Sequence, residues 1–409
     1  MPKSPSTAPR TSPATSGPAG RASLSQPIVA GIVTALVGFT SSFAVVLAGL
    51  RAVGADGAQA ASGLLALTLV FGLAVLWLAW RSRVPVTLAW STPGAALLAA
   101  GGMVDGGWPA AVGAFILTGV LIALTGLVPA LGRLLARIPA ALAQAMLAGV
   151  LLPLCLAPFQ AVGTSPALVL PVILCWLVMM RFAPRWSVPA ALLVALAGIT
   201  IQLATTGTAL STDTVLPALV WTTPSFTLQA AVGIALPLFI VTMASQNIPG
   251  VAVLKSFGYE TPWRPAMLFT GFGTAIGAPF GAHAINLAAL SAALAAGEEA
   301  GPDRNRRWVA GFTSGFAYLV LAAFSAALVT LVSAAPAGLL EAVAGLALLA
   351  TLAAAVSAAL QDVSDRIPAV VTFLVAASGL SVAGIGAAFW ALAAGLVVRA
   401  VLRRRPAEN

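Results

Sequence analysis

The sequence predicts an all-α polytopic membrane protein with about fourteen transmembrane segments in two inverted repeats of seven. Only 8% of its 409 residues are charged and 60% are hydrophobic, whereas a soluble chain of this length needs far more charge to cover its surface. Apolar runs near the ~20 residues needed to cross a bilayer recur along almost the whole chain. The basic residues lie in the short gaps between these runs.

The apolar runs divide the chain into two halves. Residues 1–24, rich in Ser, Pro, Thr, Ala and Gly, predict a disordered cytoplasmic tail. The first repeat is expected at 25–206, an extracytoplasmic connection at 207–226, the second repeat at 227–402 and a cytoplasmic tail at 403–409. The segments are placed at 27–50, 60–80, 86–102, 109–131, 139–157, 166–180, 187–206, 227–252, 264–276, 279–297, 308–333, 337–359, 367–380 and 384–400. Seven segments per half force the halves into opposite orientations, as in many secondary transporters.

The basic residues predict the orientation of the chain. With both termini in the cytoplasm, nineteen of the twenty Lys and Arg residues fall on the cytoplasmic side, and only Arg51 does not. This is the positive-inside pattern. The net charge of +9 therefore needs no nucleic-acid partner, because the basic residues form no stripe with interleaved aromatic residues.

The few reactive side chains argue against an enzyme. Cys155 and Cys175 lie inside apolar segments, and the sequence has no Cys/His cluster, so neither a metal site nor a disulfide framework is indicated. No cofactor is expected. The single histidine has no acidic residue near it in sequence, so a conventional catalytic set is missing.

The two halves share a broken segment. Residues 84–96 and 278–290, displaced by 194 positions, each contain a proline, a short extended-looking stretch and an Ala/Leu-rich run. Thr92 and Asn286 precede these runs and are predicted helix N-caps, with Pro93 in the first turn. A helix that starts there begins near the bilayer midplane with unpaired N–H groups, which must face a protein cavity and favour an anion. The alternative is a pair of ordinary kinked helices.

Polar residues also mark the first and eighth segments. The first carries Thr40, Ser41 and Ser42 near its centre, and the eighth carries Thr242, Ser245, Gln246 and Asn247. A lone Ser or Thr in a membrane helix usually bonds its own backbone. Buried Gln246 and Asn247 are costlier and therefore stronger candidates for a site.

His283 is the single histidine and lies three residues before Asn286. Its ability to exchange a proton near neutral pH suits proton coupling. The alternative is a neutral ring bonded to the backbone within a tight crossing. No Asp or Glu lies deep in any predicted segment, so His283 or the carboxylate of a substrate is left to carry a proton.

Four sequence motifs resemble the bacterial benzoate/proton symporter family (BenE). The most specific is Trp90-Ser91-Thr92-Pro93-Gly94 within residues 86–98; the others are residues 26–31, 245–250 and 281–287. They occur in the family's order and spacing, and the likeness covers residues from about 25 to 400.

The resemblance implies import of benzoate or a similar aromatic carboxylate with a proton across the bacterial cytoplasmic (inner) membrane. It implies the seven-plus-seven fold shared with nucleobase permeases and sulfate-type anion transporters. In that fold, segments 3 and 10 hold a strand and a half-helix, and a core domain moves against a gate domain in elevator fashion. A homodimer through the gate domain is the assembly it suggests. Ser245, Gln246 and Asn247 stand where the permeases carry acidic or histidine residues, which favours an anionic substrate.

Pattern and resemblance together define the predicted substrate site. Its residues are Thr40, Ser41, Phe43, Trp90, Ser91, Thr92, Gly94, Ser245, Gln246, Asn247, His283, Ile285 and Asn286, with His283 as the proton-coupling residue. That the substrate carries an aromatic ring is implied by the resemblance alone. The candidate contacts for this ring are Phe39, Phe43, Trp90 and Phe280. An inorganic or other organic anion exchanger of the same fold, and a membrane scaffold or intramembrane enzyme, are the alternative functions.

Overall fold

The computed structural model describes residues 24–128, 130–131, 138–206, 216–336 and 338–402. The predicted tails, apart from Leu24, and residues 207–215 of the predicted connection lie outside the described residues. The described part of the connection, 216–226, has no helix or strand and packs against both halves. The Thr222 amide donates to Pro279 O at 2.7 Å, and the Ser225 amide donates to Pro109 O at 2.9 Å.

Each half contributes its elements in the same order. The first half contains α1 (Ser25–Thr40), α2 (Phe43–Ala52), α3 (Gly57–Ser82), β1 (Leu88–Trp90), α4 (Thr92–Gly101), α5 (Gly107–Leu127), α6 (Ala140–Thr164), α7 (Pro166–Phe182) and α8 (Ser187–Thr206). The second contains α9 (Leu228–Ser256), α10 (Trp263–Gly277), β2 (Ile285–Leu287), α11 (Ala289–Ala296), α12 (Trp308–Ala323), α13 (Ser325–Ser333), α14 (Leu339–Ala359), α15 (Arg366–Ala377) and α16 (Ala387–Leu402). A helix or a strand–helix pair occupies each of the fourteen predicted segments.

Among the described residues, seven helices are long and apolar enough to cross a membrane alone, or eight if the pair Arg304–Ala323 and Ser325–Ser333, bent by 51°, forms one span. The other segments are short or broken. The all-α membrane class is therefore confirmed, and the count of fourteen crossings stays a prediction.

The helices form two packed groups. Helices α1 to α5 and α9 to α13 surround the two strands, and we call this group the core domain. Helices α6 to α8 and α14 to α16 pack mainly on one another, with α6 between α14 and α15, and we call them the gate domain. The two strands therefore lie inside the core domain, on the side that α14 and α7 approach.

Both halves depart from regular helix at matched places. The chain turns at Ser41–Ser42 between α1 and α2, and α9 contains π turns at Ala231–Ala235 and Met243–Asn247. Such π turns frequently occur at functional sites. The irregular middle of each first segment lies beside the strands of the broken segments.

Candidate functional site

The two broken segments meet in a short antiparallel ladder. Strand β1 pairs with β2 in the register Leu88–Leu287, Ala89–Asn286 and Trp90–Ile285. Two further bonds extend it, from the Ser91 amide to Ala284 O at 2.8 Å and from the Ala288 amide to Thr87 O at 3.0 Å. Because extended backbone cannot face lipid with unpaired groups, the crossing of two strands inside the core domain is what allows both segments to be broken.

Side chains from neighbouring helices pair the outer edge of β2. The Leu287 amide donates to Asn247 Oδ1 at 2.8 Å, and the Ile285 amide donates to Thr274 Oγ1 at 3.0 Å. Both of these side chains are fully buried. Asn247, predicted as a substrate ligand, is thus engaged within the protein, and its nitrogen faces Met243 Sδ.

Helix α4 begins at the ladder with a side-chain cap. The cap is Ser91, whose hydroxyl accepts a bond from the Gly94 amide at 3.1 Å and another from Thr242 Oγ1 at 2.8 Å. The prediction that Thr92 is the N-cap was therefore wrong, because the chain is still extended at Ser91 and its side chain reaches the third amide of the helix. Pro93 has no N–H, so Thr92 retains the one uncapped amide of this first turn.

Helix α11 begins at the opposite end of the ladder without a side-chain cap. Its N-cap position is Ala288, and helix geometry provides no acceptor for the amides of Ala289, Leu290 and Ser291. The prediction that Asn286 is the N-cap was wrong, since Asn286 lies within β2. The side-chain amide of Asn286 makes hydrogen bonds when its nitrogen faces β1, where it donates to Ala89 O at 2.7 Å.

These starts correct the alignment of the halves. The strands begin at Leu88 and Ile285, and the helices begin at Thr92 and Ala289, so the structural repeat is displaced by 197 positions instead of the predicted 194. The predicted alignment matched Thr92 with Asn286 because both favour N-caps. The two half-helices extend from the ladder in opposite directions. The first turn of α11 has three uncapped amides, whereas the first turn of α4 has one.

A cavity of about 620 Å³ lies between this crossing and the gate domain. Its polar end is formed by Ser41, Thr92, Gln246 and Ser291, together with the backbone of Ala288 to Leu290. No hydrogen bond is recorded for the side chains of Thr92 and Gln246 within the described parts of the chain. The volume falls in the range of about 300–1,000 Å³ common for small-molecule sites.

The opposite wall of the cavity is apolar and comes from the gate domain. Trp176 and Met180 of α7 and Leu346, Leu349 and Ala350 of α14 face the half-helix starts. Sequence reasoning missed these residues, because nothing in an apolar helix marks which face meets a cavity. It also missed Ser291, whose only signal is its place in the first turn of α11.

The predicted site residues divide into two sets. Ser41, Trp90, Thr92 and Gln246 line the cavity. The others are held around it: Thr40 and Ser245 donate to the carbonyls of Leu36 and Val241 in their own helices, and Ser91, Asn247, Ile285 and Asn286 build the crossing. Gly94 packs so closely on α9 that a Cβ at this position would clash with Leu238 Cδ1.

The candidate aromatic residues form a cluster behind Trp90. Phe39 stacks on Phe43 with ring centres 6.0 Å apart, and Phe39 and Phe71 lie 5.2 and 5.6 Å from Trp90. The Trp90 indole donates to Ser42 Oγ at 2.8 Å, which fixes its plane. Phe280 instead packs against Trp221, so of the four candidates Trp90 is the one that reaches the cavity.

His283 is fully buried and does not line the cavity. Its Nδ1 accepts a bond from the Ala284 amide at 2.6 Å, and its ring packs edge-on against Phe115 of α5. Its Nε2 has no hydrogen-bond partner among the described residues. This position, two residues before β2, agrees with the alternative in which the ring bonds backbone at the crossing, and the coupling role stays a prediction.

Arg185 is the charged residue among those that line the described cavity. It lies between α7 and α8 of the gate domain and pairs with Glu299, which follows α11 of the core domain. Both side chains are about half exposed, at 46% and 59%. An exposed pair of this kind contributes little stability. It does hold the Arg185 guanidinium beside Glu299, beyond the end of α11 that is distant from the strand crossing.

Comparison with known proteins agrees with this arrangement. A model of the benzoate membrane transport protein family (BenE) matches residues 22–401. The chain belongs to the BenE family. This is a family of membrane transporters and not of enzymes.

Two relatives of this BenE chain are similar over most of their length. The inner membrane protein YdcO of Escherichia coli (strain K12) is 41% identical over 92% of this chain and 95% of its own. The benzoate membrane transport protein of Acinetobacter baylyi is 32% identical over 81% of this chain and 84% of its own.

Solved structures share the fold of this BenE protein. The transmembrane domain of the cyanobacterium bicarbonate transporter BicA matches 93% of this chain and 97% of its own, with a TM-score of 0.56 and 15% identity. SLC26A9 matches 92% of this chain and 65% of its own, with a TM-score of 0.56 and 13% identity. At these identities the likeness establishes the inverted-repeat transporter fold alone.

Proposed function

We propose that this protein is a secondary active transporter that imports benzoate or a similar aromatic carboxylate together with a proton. The observation that carries the proposal is a cavity with a donor-rich end at the start of α11 and an apolar wall opposite. An aromatic carboxylate has the same division, with a charged end and an apolar ring.

The carboxylate is assigned to the half-helix starts. The uncapped amides of Ala289, Leu290 and Ser291 point out of the first turn of α11, and Thr92 adds an amide and a hydroxyl from α4. Partial positive charge at a helix N-terminus favours an anion. Hydrogen bonds to charged groups contribute about 1.5–3 kcal/mol each, so a few such donors hold a carboxylate without a buried Lys or Arg.

The ring is assigned to the apolar wall. Trp90 closes the core side beside the donors, and Trp176 and Met180 close the gate side. Burial of apolar surface contributes roughly 25 cal/mol per Å², which adds affinity that an inorganic anion cannot gain. This wall favours an aromatic carboxylate over the alternative, an inorganic anion exchanger.

Proton coupling is proposed on energetic grounds. Moving one negative charge inward against a membrane potential of 100 mV costs about 2.3 kcal/mol, and a proton carried in the same cycle removes this cost. The described residues that line the cavity include neither Asp nor Glu. His283 remains the proposed coupling residue, since its free Nε2 lies on the segment that leads into β2 and α11. Its alternative is a proton on the substrate's own carboxylate.

The orientation and motion are part of the same proposal. With both termini in the cytoplasm of a bacterium and the chain in the inner membrane, Arg185, which lines the cavity, lies on the cytoplasmic side. The cavity separates core from gate domain, which supports an elevator-type motion of one against the other. A homodimer through the gate domain is the proposed assembly.

Uptake into proteoliposomes tests this function. We expect radiolabelled benzoate to accumulate when the outside is acidified, and a protonophore to abolish the accumulation. Unlabelled benzoate should compete, and bicarbonate and sulfate should not. Flux of bicarbonate or sulfate without benzoate uptake would establish the anion-exchange alternative instead.

A further inference from the structure

Tyr318 of α12 carries a buried hydroxyl that the proposed mechanism does not yet use. The side chain is 1% exposed, and its hydroxyl makes no hydrogen bond of good geometry among the described residues. Buried polar groups are nearly always paired, and an unpaired one costs about 1–3 kcal/mol. A hydroxyl retained in this state calls for a hydrogen bond that forms only when a ligand is bound.

The hydroxyl points at the rim of the cavity. It faces Gly38 of α1 and the hydroxyl of Ser291, both of which line the cavity. A Cβ at Gly38 would lie 2.5 Å from Tyr318 Oη and 3.2 Å from Ser291 Oγ. Glycine at position 38 is thus what allows the two hydroxyls to approach one another beside α1.

Ser291 lies where a carboxylate ligand is needed. It is the third residue of α11, so its amide is one of the three uncapped donors of the first turn. The residue is 4% exposed, and its hydroxyl lies with that of Tyr318 beside Gly38. The backbone amide and the hydroxyl of Ser291 therefore both lie at the donor-rich end of the cavity.

We propose that Ser291 binds the carboxylate of the transported substrate with its hydroxyl and that Tyr318 is a positioning residue for it. The Tyr318 O–H donates to Ser291 Oγ, and the Ser291 O–H donates to a carboxylate oxygen. The Ser291 hydroxyl then accepts one hydrogen bond and donates another, the Tyr318 hydroxyl donates one, and the bound anion completes the chain. The inference deepens the proposed function and relies on it only for the carboxylate.

Tyr318→Phe removes the hydroxyl and keeps the ring, which packs edge-on against Phe71 with ring centres 4.7 Å apart. Isothermal titration of the purified protein with benzoate should give a Kd raised about 2- to 12-fold, the equivalent of one ordinary hydrogen bond. Ser291→Ala should raise it about 10- to 150-fold, because that bond reaches a charged group. The double variant should match Ser291→Ala, since Tyr318 acts through Ser291.

Thermal stability separates positioning from packing. In the ligand-free protein, Tyr318→Phe removes a buried hydroxyl that has no hydrogen bond of good geometry among the described residues, so the variant should melt at or above the wild-type temperature while binding benzoate more weakly. Ser325→Ala is the matched control, because Ser325 of α13 also has a buried hydroxyl without a partner in the described part of the chain and does not line the cavity. It should likewise not melt lower, but its benzoate affinity should equal that of the wild type.

Two results would overturn the assignment. One is wild-type affinity in both Tyr318→Phe and Ser291→Ala. The other is a lower melting temperature of Tyr318→Phe with unchanged affinity, which would give the hydroxyl a packing role. Failure of the wild-type protein to bind any aromatic carboxylate is a different outcome, because it overturns the proposed function and this subsite with it.

Discussion

Ala288→Ser supplies the side-chain cap that α11 lacks. Ala288 has the extended backbone typical of an N-cap, with φ −89° and ψ 122°. Serine at this position accepts a hydrogen bond from the second or third amide of the helix. Ser91 makes the same bond to Gly94 at the start of α4. The substitution therefore occupies one of the donors that we assign to the substrate.

Stability and affinity should change in opposite directions. A serine N-cap contributes about 0.5–2 kcal/mol over alanine, so the ligand-free protein should melt at a higher temperature. Loss of one hydrogen bond to a charged carboxylate costs about 1.5–3 kcal/mol, which corresponds to a benzoate Kd raised about 10- to 150-fold.

Thermal melting and isothermal titration with benzoate measure the two effects on one preparation. The control is Ala293→Ser, which adds the same hydroxyl one turn along α11, where Ala293 is half-buried and does not line the cavity. Its affinity should be unchanged. A raised melting temperature of Ala288→Ser with wild-type affinity would refute the assignment of the carboxylate to α11.

Three further substitutions test separate parts of the account. Thr92→Val removes a cavity hydroxyl but leaves the Ser91 cap in place, so benzoate Kd should rise about tenfold with an unchanged melting temperature. Equal affinity would remove α4 from the site. Asn286→Leu removes the side-chain bonds to β1 and should lower the free energy of unfolding by about 1–3 kcal/mol; wild-type resistance to denaturant would contradict this. His283→Gln should flatten the pH dependence of uptake, and an unchanged profile would assign the proton to the substrate.

Much of the fold follows from the sequence because lipid restricts the alternatives. The membrane permits only helices where backbone faces lipid, so prolines and glycines at 84–96 and 278–290 predicted broken segments in both halves. The structure has a strand and a half-helix in each. The inverted-repeat class follows from the same pattern and is confirmed by the solved structures of this fold.

The details of the crossing were less predictable. Thr92, Ser91 and Asn286 are all residue types that favour helix caps, and only the strand register decides which of them caps. Ser91 does so because β1 ends at Trp90, whereas Asn286 is fixed inside β2. The error of three positions in the repeat followed from the choice of Thr92 and Asn286 as equivalents.

The cavity depends on contacts between distant segments. Gln246 and Asn247 are adjacent in sequence, yet the π turn in α9 presents Gln246 to the cavity and Asn247 to β2. Trp176 and Met180 carry no polar mark in sequence and become cavity residues because α7 packs opposite the half-helices. Sequence pattern predicted the donors better than the wall that faces them.

A structure with bound para-bromobenzoate tests the central claim most directly, since the bromine fixes the direction of the ring. We predict the carboxylate oxygens within hydrogen-bonding distance of the amides of Ala289 to Ser291, and the bromine directed toward Trp176 and Met180. A carboxylate bound instead at Arg185, with the first turn of α11 unoccupied, would contradict the account.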